Sequence, residues 1–566
     1  MPSREIGAGK PAAPVPAPAG DDSALPGAAV GSATGWGAGA PTPGGVARAV
    51  GRASVIVSVA TLASRVLGLL RETTLADRFA ATHLTDAYNV AALIPLVLFA
   101  AVGVAITTAF IPLFSEVLSG RGPREAERFA ANANGAVTLA IGVLILLLEL
   151  GAGPIVHTLL GGWSAGQQDL CIRLVRITSP LILFYGWSAI AGGVLNVRGV
   201  FGPRAAMGIP QNLTIIAAIL LASAGGRQNI ALVAWGGLAG TATTFLVQLP
   251  ALRRCGFRVG WRLDLHDPLL RRMLRRVGPA ALTALSQQTG SLVVYVLGSR
   301  LPSGMITDFV YASRLQLLAY SILGMSVATV LYPRLAALRA EGDMRAFRRT
   351  FVRGLGLVSA VTVPMALGLF LLRMPAVQVV YQHGRFTAAD TATTAVPLAF
   401  LSLGTIAYAW QDYINRTFYA LGNTRTPMTA ALIGTGLGIA LAAALYRPLG
   451  LAGLGLAMAA GWSAALVYLV VRLRGALGLL GGRRIAGSVG RLLVAAAVGF
   501  GPASVAVGPV ARHFGGGWVV TGAALAACGL GGAVVYGALA AALRVPEVGA
   551  ALEMFRGSWR RLRHAT

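Results

Sequence analysis

Charged residues are scarce in this chain of 566 residues: only 12% are Asp, Glu, Lys or Arg, whereas soluble domains contain about 25%. A soluble enzyme of this length would need more surface charge, and a soluble nucleic-acid-binding protein would not have so high a mean hydropathy, so both classes are excluded. Disorder is excluded for most of the chain because 55% of its residues are hydrophobic. Together with a mean hydropathy of +0.70, these values indicate a polytopic membrane protein.

Metal-binding and catalytic motifs are also lacking. The cysteines Cys171, Cys255 and Cys528 are scattered, without the spacing of a metal site or a disulfide framework. The sequence has no HExxH or Walker motif. We therefore expect no metal, no cofactor and no enzymatic activity, and the high mean hydropathy argues against a nucleic-acid partner.

What the sequence does contain is a succession of apolar stretches, each long enough to cross a bilayer core of about 30 Å. They predict an all-α polytopic membrane protein with about 14 transmembrane helices. The predicted spans are 53–77, 86–118, 127–152, 170–195, 204–224, 229–252, 275–299, 304–333, 350–372, 390–419, 427–446, 450–471, 487–508 and 517–543.

The positive charge of the chain is unevenly placed. Lys and Arg number 47 against 20 Asp and Glu, which gives a net charge of +27, and Lys10 is the only lysine. Arginines cluster in the connections after even-numbered spans, such as 253–272, and are sparse after odd-numbered spans, where Arg78 stands alone after span 1. This alternation follows the positive-inside rule and predicts that both termini lie in the cytoplasm. Most of these arginines are therefore expected to set topology rather than to bind a ligand.

An internal repeat divides the chain. The pair Thr85-Asp86 in span 2 recurs as Thr307-Asp308 in span 8, about 221 residues later. Six spans per repeat insert both copies the same way up, related by an axis along the membrane normal. We therefore expect two six-helix lobes around a central cavity, the geometry of alternating access. The predicted segments are a disordered cytoplasmic tail (1–47), an N-lobe (48–254), a C-lobe (255–474), two further helices (475–546) and a basic cytoplasmic tail (547–566). No basic segment followed by an apolar one opens the chain, so we expect no cleaved signal peptide.

Ionisable residues inside spans are costly and usually face a cavity or a partner. Arg65 lies about 18 Å into span 1 and Arg314 about 15 Å into span 8, at similar depth in the two lobes. They predict either a shared site for an anionic ligand or a structural pairing. Arg71 lies nearer the outer face, where its side chain could instead reach the headgroups.

The acidic residues inside spans leave alternatives open. Asp86 opens span 2 behind a threonine, where it could cap its helix or pair with Arg65 or Arg71. Asp412 and Arg416 are four residues apart on one predicted helix, a spacing that favours an ion pair between them.

Several motifs resemble a known family, the MurJ/MviN lipid II flippases of the multidrug/oligosaccharidyl-lipid/polysaccharide exporter superfamily. The resemblance covers about residues 50–475. It is carried by Ser64-Arg65-Val66-Leu67-Gly68, Arg71, Thr85-Asp86-Ala87, Pro95, Ala109-Phe110-Ile111-Pro112, Tyr311-Ala312-Ser313-Arg314-Leu315, Gly384-Arg385-Phe386-Thr387 and Asn423-Thr424-Arg425-Thr426-Pro427.

The resemblance implies a flippase in the bacterial cytoplasmic membrane that moves lipid II to the outer leaflet for peptidoglycan synthesis. It implies that Arg65, Arg71 and Arg314 hold the diphosphate, that Asp86 is their acidic companion and that spans 13 and 14 form a groove for the lipid tail. The expected partners are lipid II or a related undecaprenyl-pyrophosphate-linked glycan, the bilayer and cell-wall synthesis proteins. The alternatives are a flippase for another undecaprenyl-linked glycan, a drug antiporter of the same superfamily and a non-transporting scaffold for cell-wall synthesis.

Overall fold

The computed structural model of the protein describes residues 43–258, 260–478, 481–515 and 517–545. Residues 43–56, 101, 104–105, 107–108, 276–287, 323 and 326 are described by their backbone alone. Contacts cluster the chain into two units, Met1–Ala49 and Val50–Thr566. The first helix begins at Pro43, inside the segment expected to be a tail, while residues 1–42 and 547–566 of the predicted tails lie outside the described residues.

Every regular element among the described residues is helical. The helices are α1 (Pro43–Phe79), α2 (His83–Ala105), α3 (Ile111–Arg121), α4 (Pro123–Leu159), α5 (Ala165–Thr178), α6 (Leu181–Val197), α7 (Gly202–Ala206), α8 (Gly208–Ala222), α9 (Ile230–Leu246), α10 (Leu249–Arg254), α11 (Pro268–Gly298), α12 (Met305–Ala340), α13 (Met344–Leu371), α14 (Arg373–Tyr381), α15 (Ala388–Ala420), α16 (Arg425–Leu477), α17 (Gly482–His513) and α18 (Trp518–Ala542). A π-helical turn, Ile106–Phe110, joins α2 to α3.

Short polar side chains start several of these helices. Thr387 Oγ1 accepts a hydrogen bond from the backbone N–H of Asp390, and the Asp390 carboxylate accepts from the backbone N–H of Thr387, which makes a capping box at the start of α15. Asp267 and Asp343 cap α11 and α13, and each side chain accepts a hydrogen bond from a backbone N–H of the first turn. These caps fix where the long apolar helices begin.

The longest helix, α16, contains two of the predicted spans. Its 53 residues would extend about 80 Å at 1.5 Å per residue, enough for two crossings. Pro448 removes a backbone donor and Gly450 adopts φ 55° and ψ −130°, so the helix breaks there. The halves pack closely, because a Cβ on Gly434 would lie 2.7 Å from the carbonyl oxygen of Gly461. Glycine at this position therefore permits backbone contact between two spans.

Among the described residues, ten helices are long and apolar enough to cross a membrane, or eleven if α12, bent by 50°, counts as one span. The number is below the predicted fourteen partly because α16 counts once although it covers two predicted spans. Neither α1 nor α11 is among the ten. The multi-pass all-helical fold is thus confirmed, and the count of fourteen stays a prediction.

Helix starts recur with the spacing of the sequence repeat. The pairs α2 and α12, α4 and α13, and α7 and α16 start 222, 221 and 223 residues apart. Across the predicted lobe boundary, α2 packs against both α11 and α12. The last two helices, α17 and α18, pack on each other, and α17 packs on α13. The functional residues expected on α1 and α12 are thus carried by helices of different predicted lobes.

Candidate substrate site

Two polar contacts join α1 to α12. Arg65 donates a hydrogen bond from Nη1 to the backbone oxygen of Ser321 at 2.7 Å. Seven residues further along α1, Glu72 Oε1 lies 3.8 Å from Arg314 Nε, and Arg314 stands seven residues before Ser321. Residues seven apart share one face of a helix. The two contacts therefore lie about two helical turns apart along one interface, in which α1 and α12 run antiparallel. Three of the four side chains predicted for the site therefore lie on α1 and α12, the elements that meet here.

Glu72 lies between two arginines. Its Oε1 accepts a hydrogen bond from Arg71 Nη2 and also faces Arg314. The Glu72 side chain is 10% exposed, whereas Arg71 keeps 25% and Arg314 keeps 55% of its surface open. A carboxylate this buried needs partners of opposite charge, and the two guanidinium groups provide them. The open part of Arg314 remains available to a ligand.

Glu72 is not among the site residues predicted from the sequence, although a signal for it is present. The residue lies inside the predicted span 53–77, next to Arg71. It stands seven residues after Arg65, a spacing that places both side chains on one face of a helix. An ionisable residue at such a position is by default a functional candidate. The sequence suggested the arginines as a set but did not show which acid balances them.

Asp86 has partners other than the expected arginines. Its Oδ2 accepts from the backbone N–H of Gly304 at 2.7 Å, and its Oδ1 accepts from both the N–H and the hydroxyl of Thr307 at 2.8 and 2.7 Å. The side chain is only 1% exposed. Asp86 on α2 thus caps the first turn of α12, where a negative charge also complements the helix dipole. The acid that contacts the arginines in this structure is Glu72, through Arg71 and Arg314, and a role of Asp86 as their companion stays a prediction.

A second contact near the end of α1 involves the segment between α14 and α15. The backbone N–H of Arg385 donates to the carbonyl oxygen of Asp77 at 2.9 Å. Gly384 has φ +53°, and a Cβ there would lie 2.5 Å from the same oxygen. Only glycine fits both the backbone conformation and the close approach. The Arg385 and Asp86 contacts together join the two predicted lobes, one at the last turn of α1 and the other at the first turn of α12.

Asp412 and Arg416 on α15 form the ion pair that their spacing suggested, with Arg416 Nε 3.1 Å from Asp412 Oδ2. Tyr320 on α12 donates its hydroxyl to the same carboxylate oxygen at 3.0 Å. The pair therefore ties α15 to α12, within one predicted lobe. Both of its charged groups are partnered, which sets this cluster apart from the half-open Arg314.

The cluster of Arg65, Arg71, Glu72 and Arg314, called the arginine cluster below, has a net charge of +2 from three guanidinium groups and one carboxylate. Guanidinium presents forked donors that match phosphate oxygens and stays charged when removed from water. The described residues hold no group of His, Cys, Asp and Glu that could bind a metal ion. The chemistry available at this place is anion binding by arginine.

The fold is similar to that of solved membrane transporters. An inward-facing structure of a multidrug resistance MATE family transporter of the MOP superfamily is similar with a TM-score of 0.63 and 14% identity, covering 76% of this chain and 99% of that one. At this identity the likeness concerns the fold alone. The chain therefore has the fold of a polytopic membrane transporter.

The family follows from closer matches. The family model described as lipid II flippase MurJ matches residues 75–520, so the chain belongs to the MurJ family. The lipid II flippase MurJ of Burkholderia cenocepacia is 29% identical over 435 residues, which cover 75% of this chain and 84% of that relative. A solved structure of lipid II flippase MurJ in an inward closed conformation has a TM-score of 0.72 and 25% identity, covering 86% of this chain and 98% of that one. The resemblance found in the sequence is thereby confirmed.

Proposed function

We propose that this protein moves lipid II, the lipid-linked precursor of peptidoglycan, from the inner to the outer leaflet of the cytoplasmic membrane. The observation that carries the proposal is the arginine cluster, in which Glu72 of α1 faces Arg314 of α12 at 3.8 Å. Its net charge of +2 is complementary to a diphosphate. Family membership supports the substrate, since the relatives that match most of the chain are named lipid II flippases.

In the proposed mechanism the diphosphate competes with Glu72 for the arginines. Without substrate, Glu72 neutralises part of the positive charge of Arg71 and Arg314. A phosphate that reaches the exposed side of Arg314 can accept forked hydrogen bonds from it. Arg71 and Arg314 belong to different predicted lobes. A substrate bound to both arginines therefore favours the arrangement of α1 and α12 that allows both contacts. This coupling is what alternating access requires.

The membrane potential would assist the outward step. Moving one charge through 100 mV changes the free energy by about 2.3 kcal/mol. A headgroup with two phosphate charges would therefore gain roughly 4–5 kcal/mol per 100 mV when the inside is negative. This direction agrees with the orientation that we propose from the arginine-rich even-numbered connections, with both termini in the cytoplasm.

The lipid tail requires an apolar path beside the headgroup site. We assign this role to α17 and α18, as the family resemblance implied. Both helices expose large apolar side chains, with Val505 75%, Leu530 69% and Val534 72% exposed. The proposal has no catalytic step, so the protein acts as a transporter and not as an enzyme. Cell-wall synthesis proteins that use the flipped precursor are the proposed protein partners.

Complementation tests the function. A bacterial strain depleted of its own lipid II flippase is supplied with this chain, with membrane insertion checked by immunoblot. The wild-type chain should restore growth, whereas Arg65→Ala and Arg314→Ala should each fail. Arg339→Ala is a matched control, because Arg339 lies exposed in the last turn of the same helix as Arg314. Full rescue by both cluster variants would overturn the role of the arginines.

The same assay separates the alternatives. A scaffold without transport would not restore growth to a strain that lacks a flippase, and it would bind no glycan lipid at Arg65 and Arg314. A flippase for another undecaprenyl-linked glycan would insert into the membrane and fail to rescue. In that case, purified protein should bind the other glycan lipid in preference to lipid II.

A further inference from the structure

The segment between α10 and α11 connects the two predicted lobes. Its described residues, 255–258 and 260–267, are called the linker below, and residues 262 and 264 are hydrogen-bonded to α4. The backbone N–H of Arg262 donates to the carbonyl oxygen of Ala131 at 3.0 Å. Asn132 accepts from the backbone N–H of Asp264 at 2.7 Å and donates to its carbonyl oxygen at 3.0 Å. These bonds fix the linker against a helix instead of leaving it free beyond the helix ends.

The attachment point lies near the start of the predicted span 127–152, at the end of α4 that is predicted to face the cytoplasm. Ala131 and Gly135 stand 8 and 12 residues after the first residue of α4, about 12–18 Å along its axis. They also lie four to eight residues inside the predicted span 127–152. Gly135 allows the close approach, since a Cβ there would lie 1.9 Å from the carbonyl oxygen of Arg262.

A ring contact places the linker beside a second helix. Trp261 of the linker meets Trp187 of α6 edge to face, with ring centroids 5.6 Å apart. Trp187 is ten residues before the last residue of α6, Val197, or about 15 Å from that end. The linker thus lies beside α4 and α6, about 12–18 Å from the ends of these helices that are predicted to face the cytoplasm.

One side of the linker is packed and the other is open. Phe257 is 6% exposed and packs in the core beside Phe114. Trp261, Leu263 and Leu265 are 54%, 52% and 51% exposed, at every second position. This trio, called the apolar ridge below, is an uncovered apolar patch on a segment that hydrogen bonds hold in place. Apolar patches of this kind mark protein or membrane contacts.

The charge around the apolar ridge favours a membrane with anionic lipids. Residues 253–275 contain seven exposed arginines and two acids, a net charge of +5. The arginines are Arg253, Arg254, Arg258, Arg262, Arg271, Arg272 and Arg275. Both acids are engaged, Asp264 with Arg262 at 3.5 Å and Asp267 with Asn132 at 2.9 Å. Anionic headgroups attract such basic segments, and tryptophan is enriched at the interface.

We propose that the linker is a membrane-interface anchor on the arginine-rich side, the side predicted to face the cytoplasm. The apolar ridge inserts among the lipids of that leaflet, and the surrounding arginines contact anionic phospholipid headgroups. The anchor holds the junction of the two lobes at a constant depth. It is separate from the arginine cluster, so its test does not depend on transport of lipid II.

Fluorescence in lipid nanodiscs tests the proposal. In the full chain with Cys171→Ala, Cys255→Ser and Cys528→Ala, Leu263→Cys is labelled with an environment-sensitive nitrobenzoxadiazole group. Glu341→Cys is the control, because Glu341 is exposed after α12, in a connection predicted to lie on the same side. Nitroxides attached near the lipid headgroups should quench the label at position 263 at least twofold more strongly than the label at position 341. The emission at position 263 should also be shifted to shorter wavelength.

A second measurement tests the proposed contact between the arginines and anionic headgroups. Quenching at position 263 should rise when phosphatidylglycerol is raised from none to about a third of a phosphatidylcholine bilayer, and Arg254→Gln with Arg258→Gln should remove that rise. A rise unaffected by these substitutions would overturn the role of the arginines. Equal, water-like emission at positions 263 and 341 in both bilayers would overturn the anchor and favour a protein partner on the apolar ridge.

Discussion

Replacing Glu72 with glutamine removes one negative charge from the arginine cluster and keeps the shape of the side chain. The structure gives Glu72 two charged partners, Arg71 through a hydrogen bond and Arg314 at 3.8 Å. If a diphosphate takes the place of Glu72 against these arginines, the acid is its competitor. We therefore expect the Glu72→Gln protein to bind the diphosphate headgroup more tightly than the wild type.

The size of the effect follows from Coulomb's law. Two unit charges 4 Å apart interact by about 1 kcal/mol in water and about 4 kcal/mol at the effective dielectric constant of a protein surface. Glu72 is 10% exposed and Arg314 is 55% exposed, so the site lies between these limits. Losing the repulsion between Glu72 and the phosphates should then be worth more than about 1.4 kcal/mol, or at least tenfold in affinity.

The assay compares binding of undecaprenyl pyrophosphate with flipping of lipid II in proteoliposomes. Glu72→Gln should bind more tightly and flip more slowly, because tighter holding of the headgroup opposes its release. Glu116→Gln serves as the control, since Glu116 pairs with Arg272 in a contact whose side chains are about half exposed. Weaker binding by Glu72→Gln than by the wild type would refute the competition between Glu72 and phosphate.

Three further changes test the contacts between helices. Asp86→Asn replaces one acceptor at the start of α12 with an amide donor and should cost about 1.5–3 kcal/mol. A cysteine probe at the start of α12 should then be labelled from outside at least tenfold faster, and unchanged labelling would contradict the role of Asp86 in holding that helix end. Gly384→Val places a side chain against Asp77 in a left-handed backbone conformation and should raise the same labelling, whereas substitution of the open Gly342 should leave it unchanged. Gly434→Val should lower the melting temperature by driving a side chain into the backbone of the second half of α16, with the open Gly436 as control; equal melting temperatures would refute close packing there.

The site was partly predictable because its basic members break the pattern of the chain. Arg65 and Arg314 lie inside apolar stretches, where charge is costly, so hydropathy alone singles them out. Their partners were less predictable. Asp86 looked like a companion of Arg65 or Arg71, but it bonds to the start of α12, 218 and 221 residues away. Sequence spacing contains no information about which helix faces which across the lobes.

The sequence by itself determined the class of this protein, its apolar helices and the residues that are expensive to bury. These properties follow from the free energy of transferring each side chain into lipid, which depends on local composition. Only the tertiary structure decided that Glu72 balances Arg71 and Arg314, that α16 joins two predicted spans and that the linker lies along α4. Such outcomes depend on which backbones approach each other closely, as at Gly135 and Gly434. Close approach is set by the packing of whole helices and not by the chemistry of any one segment.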